Sequence, residues 1–304
     1  MGLLDLFSLQ GTLFAIMLVG TLLKKIGLID KNGKRCLIDL CINVVIPCNI
    51  FRSFLIEFNW SILQSGALIL VLSIIIQIIC LNLNRFLFNG YPEERKKVMK
   101  YCTIVPNSFF GNPISEGIYG QIGVLYASIF LIPMRIVIYS VGVAYFISDS
   151  KMDKRMILKN VLTHPCLVSI YLGVFFMVTQ IKLPTVISNT VYYIANCNTA
   201  LSMLIVGTIL ADIKLSTVLN KDTMAFSVFR LILLPAVALG VALALGLRGV
   251  SLGVGVLMTA MPTGATAAMF AERYNSDFIF ATRCIVMTTL ASMLTLPIWS
   301  YLVG

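Results

Sequence analysis

The sequence predicts an all-α polytopic membrane protein of ten transmembrane helices. Three observations predict it. Of 304 residues, 59% are hydrophobic and only 12% charged, whereas a soluble domain carries roughly 25% charged residues. The mean hydropathy of +0.94 leaves no stretch for a sizeable soluble domain. Apolar runs of about 20 residues, enough to cross a bilayer, recur ten times, and lysine and arginine concentrate in alternate connections between them.

The runs cover 4–23, 36–56, 60–84, 99–119, 121–147, 161–180, 186–211, 223–246, 251–271 and 278–302. The first starts at Leu3 without a basic n-region or a small-residue cleavage site, so it reads as a retained span. The connections are short; the longest, around 85–98 and 149–160, are polar and charged. Short polar loops between long apolar runs make one transmembrane domain over 1–304, with no linker or appended module.

Lysine and arginine set the orientation. Seventeen of the 23 lie in the odd-numbered connections, including Lys24, Arg95, Lys154, Lys221 and Arg273. Arg52, Lys182 and Arg248 lie in the others, and Arg135, Arg230 and Arg283 lie within spans. The odd connections are therefore cytoplasmic and both termini face outward. The net charge of +10 is explained by this topology and by contact with anionic headgroups, so it argues for no nucleic-acid partner.

Other classes of chemistry lack residues. The eight cysteines fall singly, with no CxxC pair, and read as small buried hydrophobes. His164 is the lone histidine, so no histidine metal site is expected, and no cofactor. There is no HExxH, no paired mid-span aspartate and no Ser/His dyad, so no catalytic residue is assigned.

Spans 4 and 9 are interrupted. Span 4 holds Pro106, Asn107, Gly111, Asn112 and Pro113; span 9 holds Pro262, Thr263, Gly264 and Thr266. Proline in a helix interior removes a hydrogen bond and breaks or kinks the helix. In hydrocarbon, the freed groups are tolerated only where protein or a wet cavity satisfies them. Pro106 and Pro113 are both too deep in the run to punctuate its end. An offset of 156 residues matches Val98 to Val254, Thr103 to Thr259, Pro106 to Pro262 and Glu116 to Glu272. The breaks fall in the fourth span of each five-span half. Five is odd, so a duplicated unit is inserted upside down. Paired interruptions of this kind point to a transporter's midplane site. The new helix N-termini carry about half a positive charge and attract an anion without a lysine.

Other polar residues lie within spans. Arg135, near the middle of span 5, reads either as an anion anchor or as one half of a structural pair with a carbonyl or Glu116. Asn43 and Pro47, four apart in span 2, define a polar seam that Asn49 extends. Span 7 carries Asn196 and Asn198. Each of these asparagines either lines a pathway or bonds between helices. No carboxylate lies near a span centre: Asp39, Asp212 and Glu272 sit towards cytoplasmic ends and Glu116 towards the outer end. Ion coupling is not implied.

The order and spacing of several blocks resemble the auxin efflux carrier family, prokaryotic relatives of the plant PIN-formed transporters. The blocks are VPNSFFGNPISEGIYG, LYASIFLIPMRIVIYSVG, HPCLVSIYLG, NTALSMLIVGTILADIKL and MPTGATAAMFAERY with FATRCIVMTTLASMLTLPIWS. The resemblance covers essentially the whole chain. It implies two inverted five-helix repeats, 1–148 and 161–304, with helices 4 and 9 crossing at unwound prolines. It implies a scaffold of helices 1, 2, 6 and 7, a mobile transport domain of helices 3–5 and 8–10, elevator-type movement, and a homodimer in the cell membrane. The implied substrate is a small organic anion, such as malate or an auxin-like acid. The candidate binding residues are Pro106, Asn107, Asn112, Arg135, Pro262, Thr263 and Thr266, flanked by Asn43, Asn49, Asn196 and Asn198. The chain departs from the family pattern at Ala200, where a proline is expected, and at His164–Pro165, where Asn–Pro is expected. A carrier of a neutral or cationic solute and a non-transporting membrane sensor are the alternatives.

Single cysteines introduced at Lys154 and at Gly304, in a cysteine-free background, are expected to label from opposite faces of the membrane. Labelling from one face would contradict the inverted arrangement.

Overall fold

The computed structural model describes residues 3–57, 59–142, 144–146, 159, 162–211 and 218–304. Lys151, Lys154, Arg155, Asp212 and Lys214, used above for orientation and charge placement, lie outside the described residues. Among the described residues the fold is helical throughout, without strands.

Helix α1 is Leu3–Lys25, α2 is Lys31–Ser53 and α3 is Trp60–Phe86. Two helices follow, α4 (Glu93–Ile104) and α5 (Ser108–Val137). Then come α6 (Pro165–Thr179), α7 (Thr185–Leu210) and α8 (Lys221–Ala244). The chain closes with α9 (Gly249–Ala260), α10 (Thr266–Arg273) and α11 (Phe278–Val303). Among the described residues, seven helices are long and apolar enough to cross a membrane, and α6 and α9 are shorter apolar helices.

The long helix α5 does not run straight. Gly120 takes φ 63°, ψ −149°, a conformation open essentially to glycine alone. A Cβ on Gly123 would lie 2.2 Å from the carbonyl oxygen of Ser115. Eight residues along a straight helix would separate them by about 12 Å. The helix therefore doubles back at Gly120, which joins expected spans 4 and 5 in a tight hairpin.

Among the described residues three wide turns occur; one, Ile138–Gly142, follows α5, and the other two are each explained by a proline. Residues Cys41–Val45 of α2 and Phe229–Leu233 of α8 form π-type turns, with Pro47 and Pro235 each two residues beyond. A proline ring clashes with the carbonyl four residues back; widening the preceding turn to an i→i+5 bond relieves it. In α8 that freed carbonyl belongs to Leu231, and the Trp299 indole donates to it at 2.8 Å. The wide turn also corrects the seam expected in span 2. Asn43 is exposed and donates to the Asp39 carbonyl, whereas Pro47 and Asn49 are buried. The extra residue in the turn rotates Asn43 off the face of Pro47.

Close packing ties the two halves together. Helix α1 lies along α7, where a Cβ on Gly20 would meet the Leu204 carbonyl oxygen at 2.3 Å and one on Gly207 the Met17 oxygen at 2.0 Å. Small residues of this kind let backbones approach in membranes. Thr21 Oγ1 donates across to the Gly207 carbonyl at 2.9 Å. In the reverse sense, α6 lies along α2, with Gly173 against the Phe54 ring. At the start of α4, Arg95 reaches Asp222 at 2.9 Å and Asp277 at 3.5 Å, joining α4 to the N-terminal ends of α8 and α11. Beside it, the Lys97 ammonium holds the Glu94 carboxyl below its usual range.

Gly207→Leu is expected to lower the melting temperature of the detergent-purified protein, at a cost of about 1–3 kcal/mol as for other overpacked sites. Gly11→Ala, where a Cβ meets nothing within 4 Å, should leave the melting temperature unchanged.

Candidate functional site

Where α4 ends, residues 105–107 are extended; where α9 ends, residues 261–265 leave the helix as well. These two segments pair. Asn107 N donates to the Pro262 carbonyl at 2.8 Å and Gly264 N to the Val105 carbonyl at 2.9 Å, with Pro106 opposite Thr263 in antiparallel sense. In such a pair, the residues on either side of the central one make the ladder bonds. Pro106 therefore sits where its missing N–H costs nothing, and Pro262 contributes only its carbonyl. The N–H of Thr263 turns the other way and donates to Thr288 Oγ1 at 3.1 Å. Glycines allow the approach: a Cβ on Gly264 would lie 2.7 Å from Val105 Cγ1, and one on Gly111 2.9 Å from the Met258 sulfur.

Pro106 faces Thr263, and the second non-helical segment is two residues longer than the first. One detail differs from the sequence expectation. Pro113 does not interrupt the chain; it lies inside α5, in its second turn.

From these segments α5 and α10 start inside the protein, and neither N-terminus is capped by a side chain. Asn107, Asn112 and Thr263 are at most 1% exposed. Both polar side-chain atoms of Asn107 and of Asn112, and the hydroxyl of Thr263, have no partner within the protein. Buried amides without hydrogen bonds are costly, and here five such polar atoms lie at the two helix starts. Thr266, half-buried in the first turn of α10, accepts from the Tyr101 hydroxyl at 3.2 Å. Tyr101 stacks in turn with Phe146 and Phe270, and Tyr274 packs on both phenylalanines.

The flanking residues divide. Asn49 of α2 is fully buried and donates to Glu116 Oε2 of α5 at 3.2 Å. Gln121 donates to the other carboxylate oxygen at 3.0 Å. Asn198 is buried, accepts from Ser202 at 3.4 Å and keeps an unpartnered Nδ2. Asn196 is exposed and accepts from Arg52, so it serves a contact between α2 and α7. Arg135 does not pair with Glu116. Its guanidinium lies near Cys166 at the start of α6 and near His164, with Nη1 unpartnered. An open groove of about 460 Å³, lined by Leu55, Glu57, Phe176 and Lys182 among others, shares none of the crossover residues.

A family model described as membrane transport protein matches residues 11–156 and 150–300. The chain belongs to this family, that of the auxin efflux carriers. An uncharacterized transporter of Methanothermobacter thermautotrophicus is 28% identical over 95% of both chains. The uncharacterized transporter YfdV of Escherichia coli K12 is 22% identical, again over 95% of both. Auxin efflux carrier component 2 of Oryza sativa is 25% identical over 40% of this chain and 19% of its own length. Within this transporter chain, sequence reasoning missed Gln77 and Thr288, which serve the crossing segments from α3 and α11. Neither stands out in an apolar run containing several polar residues. Arg230 was visible as a charge within a span, but its contact with the end of α4 was not.

Proposed function

We propose that this transporter carries a small organic anion bearing a carboxylate, bound where the segments 105–107 and 261–265 pair. One observation carries the reading: two uncapped helix N-termini start at the same paired backbone, next to Asn107 and Asn112 amides that have no protein partner. Uncapped N–H groups at a helix start favour an anion, and the amides supply further donors. A carboxylate there would be met by the backbone dipoles of the two helix starts.

The packing supports an alternating-access assignment. Helices α1, α2, α6 and α7 interlock through Gly20, Gly207 and Gly173 and form the scaffold. Helices α3–α5 and α8–α11 carry the crossover and move as the transport domain. Together they make ten spans in two inverted repeats, with the pair at Pro106 and Thr263 on the axis between them. The Asn49–Glu116 bond and the Lys31–Glu272 ion pair are then ties between the two bodies. The protein sits in the cell membrane with both termini outside and assembles as a homodimer.

Counterflow of a labelled carboxylate in proteoliposomes tests the proposal. A carboxylate panel screened by thermal shift supplies the substrate. Asn112→Ala and Thr263→Ala are each expected to lower transport at least tenfold while insertion and melting temperature stay near wild type. Wild-type rates in both variants would move the site elsewhere.

A further inference from the structure

Arg230 lies in the wide turn of α8 and is 2% exposed. A charge buried in a membrane protein is retained only where something answers it. Its Nη1 donates to the Thr103 carbonyl at 2.9 Å. That carbonyl belongs to the last turn of α4, the negative end of the helix dipole, immediately before the crossing segment. Gln77 covers the next carbonyl, with Nε2 donating to Ile104 O at 3.3 Å. The end of α4 is thus closed by one side chain from each half of the chain.

That contact uses a third of the guanidinium. Nε and Nη2 are buried and have no partner in the protein. These two nitrogens form the side edge of the group, where two N–H bonds run parallel in the spacing of a carboxylate. The titratable groups facing it are the thiols of Cys80 on α3 and Cys102 on α4, which are weak acceptors. None of the ion pairs among the described residues includes Arg230. A full positive charge is answered there by a single carbonyl. Arg135 lies near Cys166 on α6, and its Nη1 too is buried without a partner.

We propose that Arg230 is an anion-binding residue whose Nε and Nη2 take a carboxylate, or a small inorganic anion of the same charge, behind the end of α4. The carboxylate form deepens the carrier reading and rests on it: the guanidinium supplies the full charge that the helix ends supply only in part. The inorganic form stands without it, as a resident co-ion that neutralises the site. Because Arg230 and α4 belong to the same moving body, the anion would travel with the crossover.

The test is thermal unfolding of the purified full-length protein in a buffer whose anion is a bulky sulfonate, with malate or chloride titrated in. Wild type is expected to be stabilised saturably by one of them. Arg230→Gln should weaken the apparent affinity at least tenfold. Arg230→Lys, which keeps a charge for the Thr103 carbonyl but loses the parallel fork, should fall between. If Arg230→Gln is too unstable to purify, Arg230→Lys alone must still show the weakened titration. Stabilisation of wild type by neither anion overturns the proposal, and so does an equal response in the folded variants. An Arg230-dependent response to chloride without one to malate keeps the anion site and moves it to the inorganic source. Malate counterflow by wild type, read separately, decides the organic-anion reading.

Discussion

Backbone buried away from water must find its hydrogen-bond partners within the protein, and this constraint organises the paired segments 105–107 and 261–265. Two chain segments leave their helices in the protein interior, and each answers the other: Asn107 N reaches Pro262 O, and Gly264 N reaches Val105 O. Neither interruption is stable alone, because each exposes a donor and an acceptor that only the other supplies. The remaining groups are taken by neighbours from three other helices: Gln77, Arg230 and Thr288. Prolines are suited to this place since each forgoes a donor that the pairing does not use. What stays unanswered is polar and local: the Asn107 and Asn112 amides, the Thr263 hydroxyl and the edge of the Arg230 fork.

The composition and the apolar runs made the membrane class legible, because burial in lipid requires length and hydropathy that no soluble fold shows. The interruptions at Pro106 and Pro262 were legible for the same reason: a proline in the middle of a spanning run conflicts with every local preference around it. The pairing register was not: no spacing in the sequence says that Pro106 stands opposite Thr263. Pro113 looked like Pro106 in sequence and behaves differently, since a proline near a helix start disrupts one bond and the next turn absorbs it. The seam through Asn43 failed because a wide turn adds a residue to the helical count, and only Pro47 hinted at it.

Site residues were legible as types and not as partners. Asn107, Asn112 and Thr263 were singled out, and all three are buried together with open hydrogen-bonding capacity. Arg135 was singled out for its charge alone, and its neighbour, Cys166 of α6, is a long-range contact that no spacing reveals. Arg230 carried the same signal. It differs from Arg135 in what it touches, a property of tertiary packing.

The glycine contacts between α1 and α7, and the matching seat of α6 on α2, bear on how such a chain is made. Each half contributes a helix whose closest neighbour lies in the other half. Until α6 and α7 have been made, α1 has no backbone groove to occupy and α2 lacks its cover. The early helices must wait in lipid, held by their flanking lysines and arginines, until α6 and α7 arrive. Final compaction is therefore a late, post-insertion event, and the two halves are obligate assembly partners even though a single polypeptide joins them.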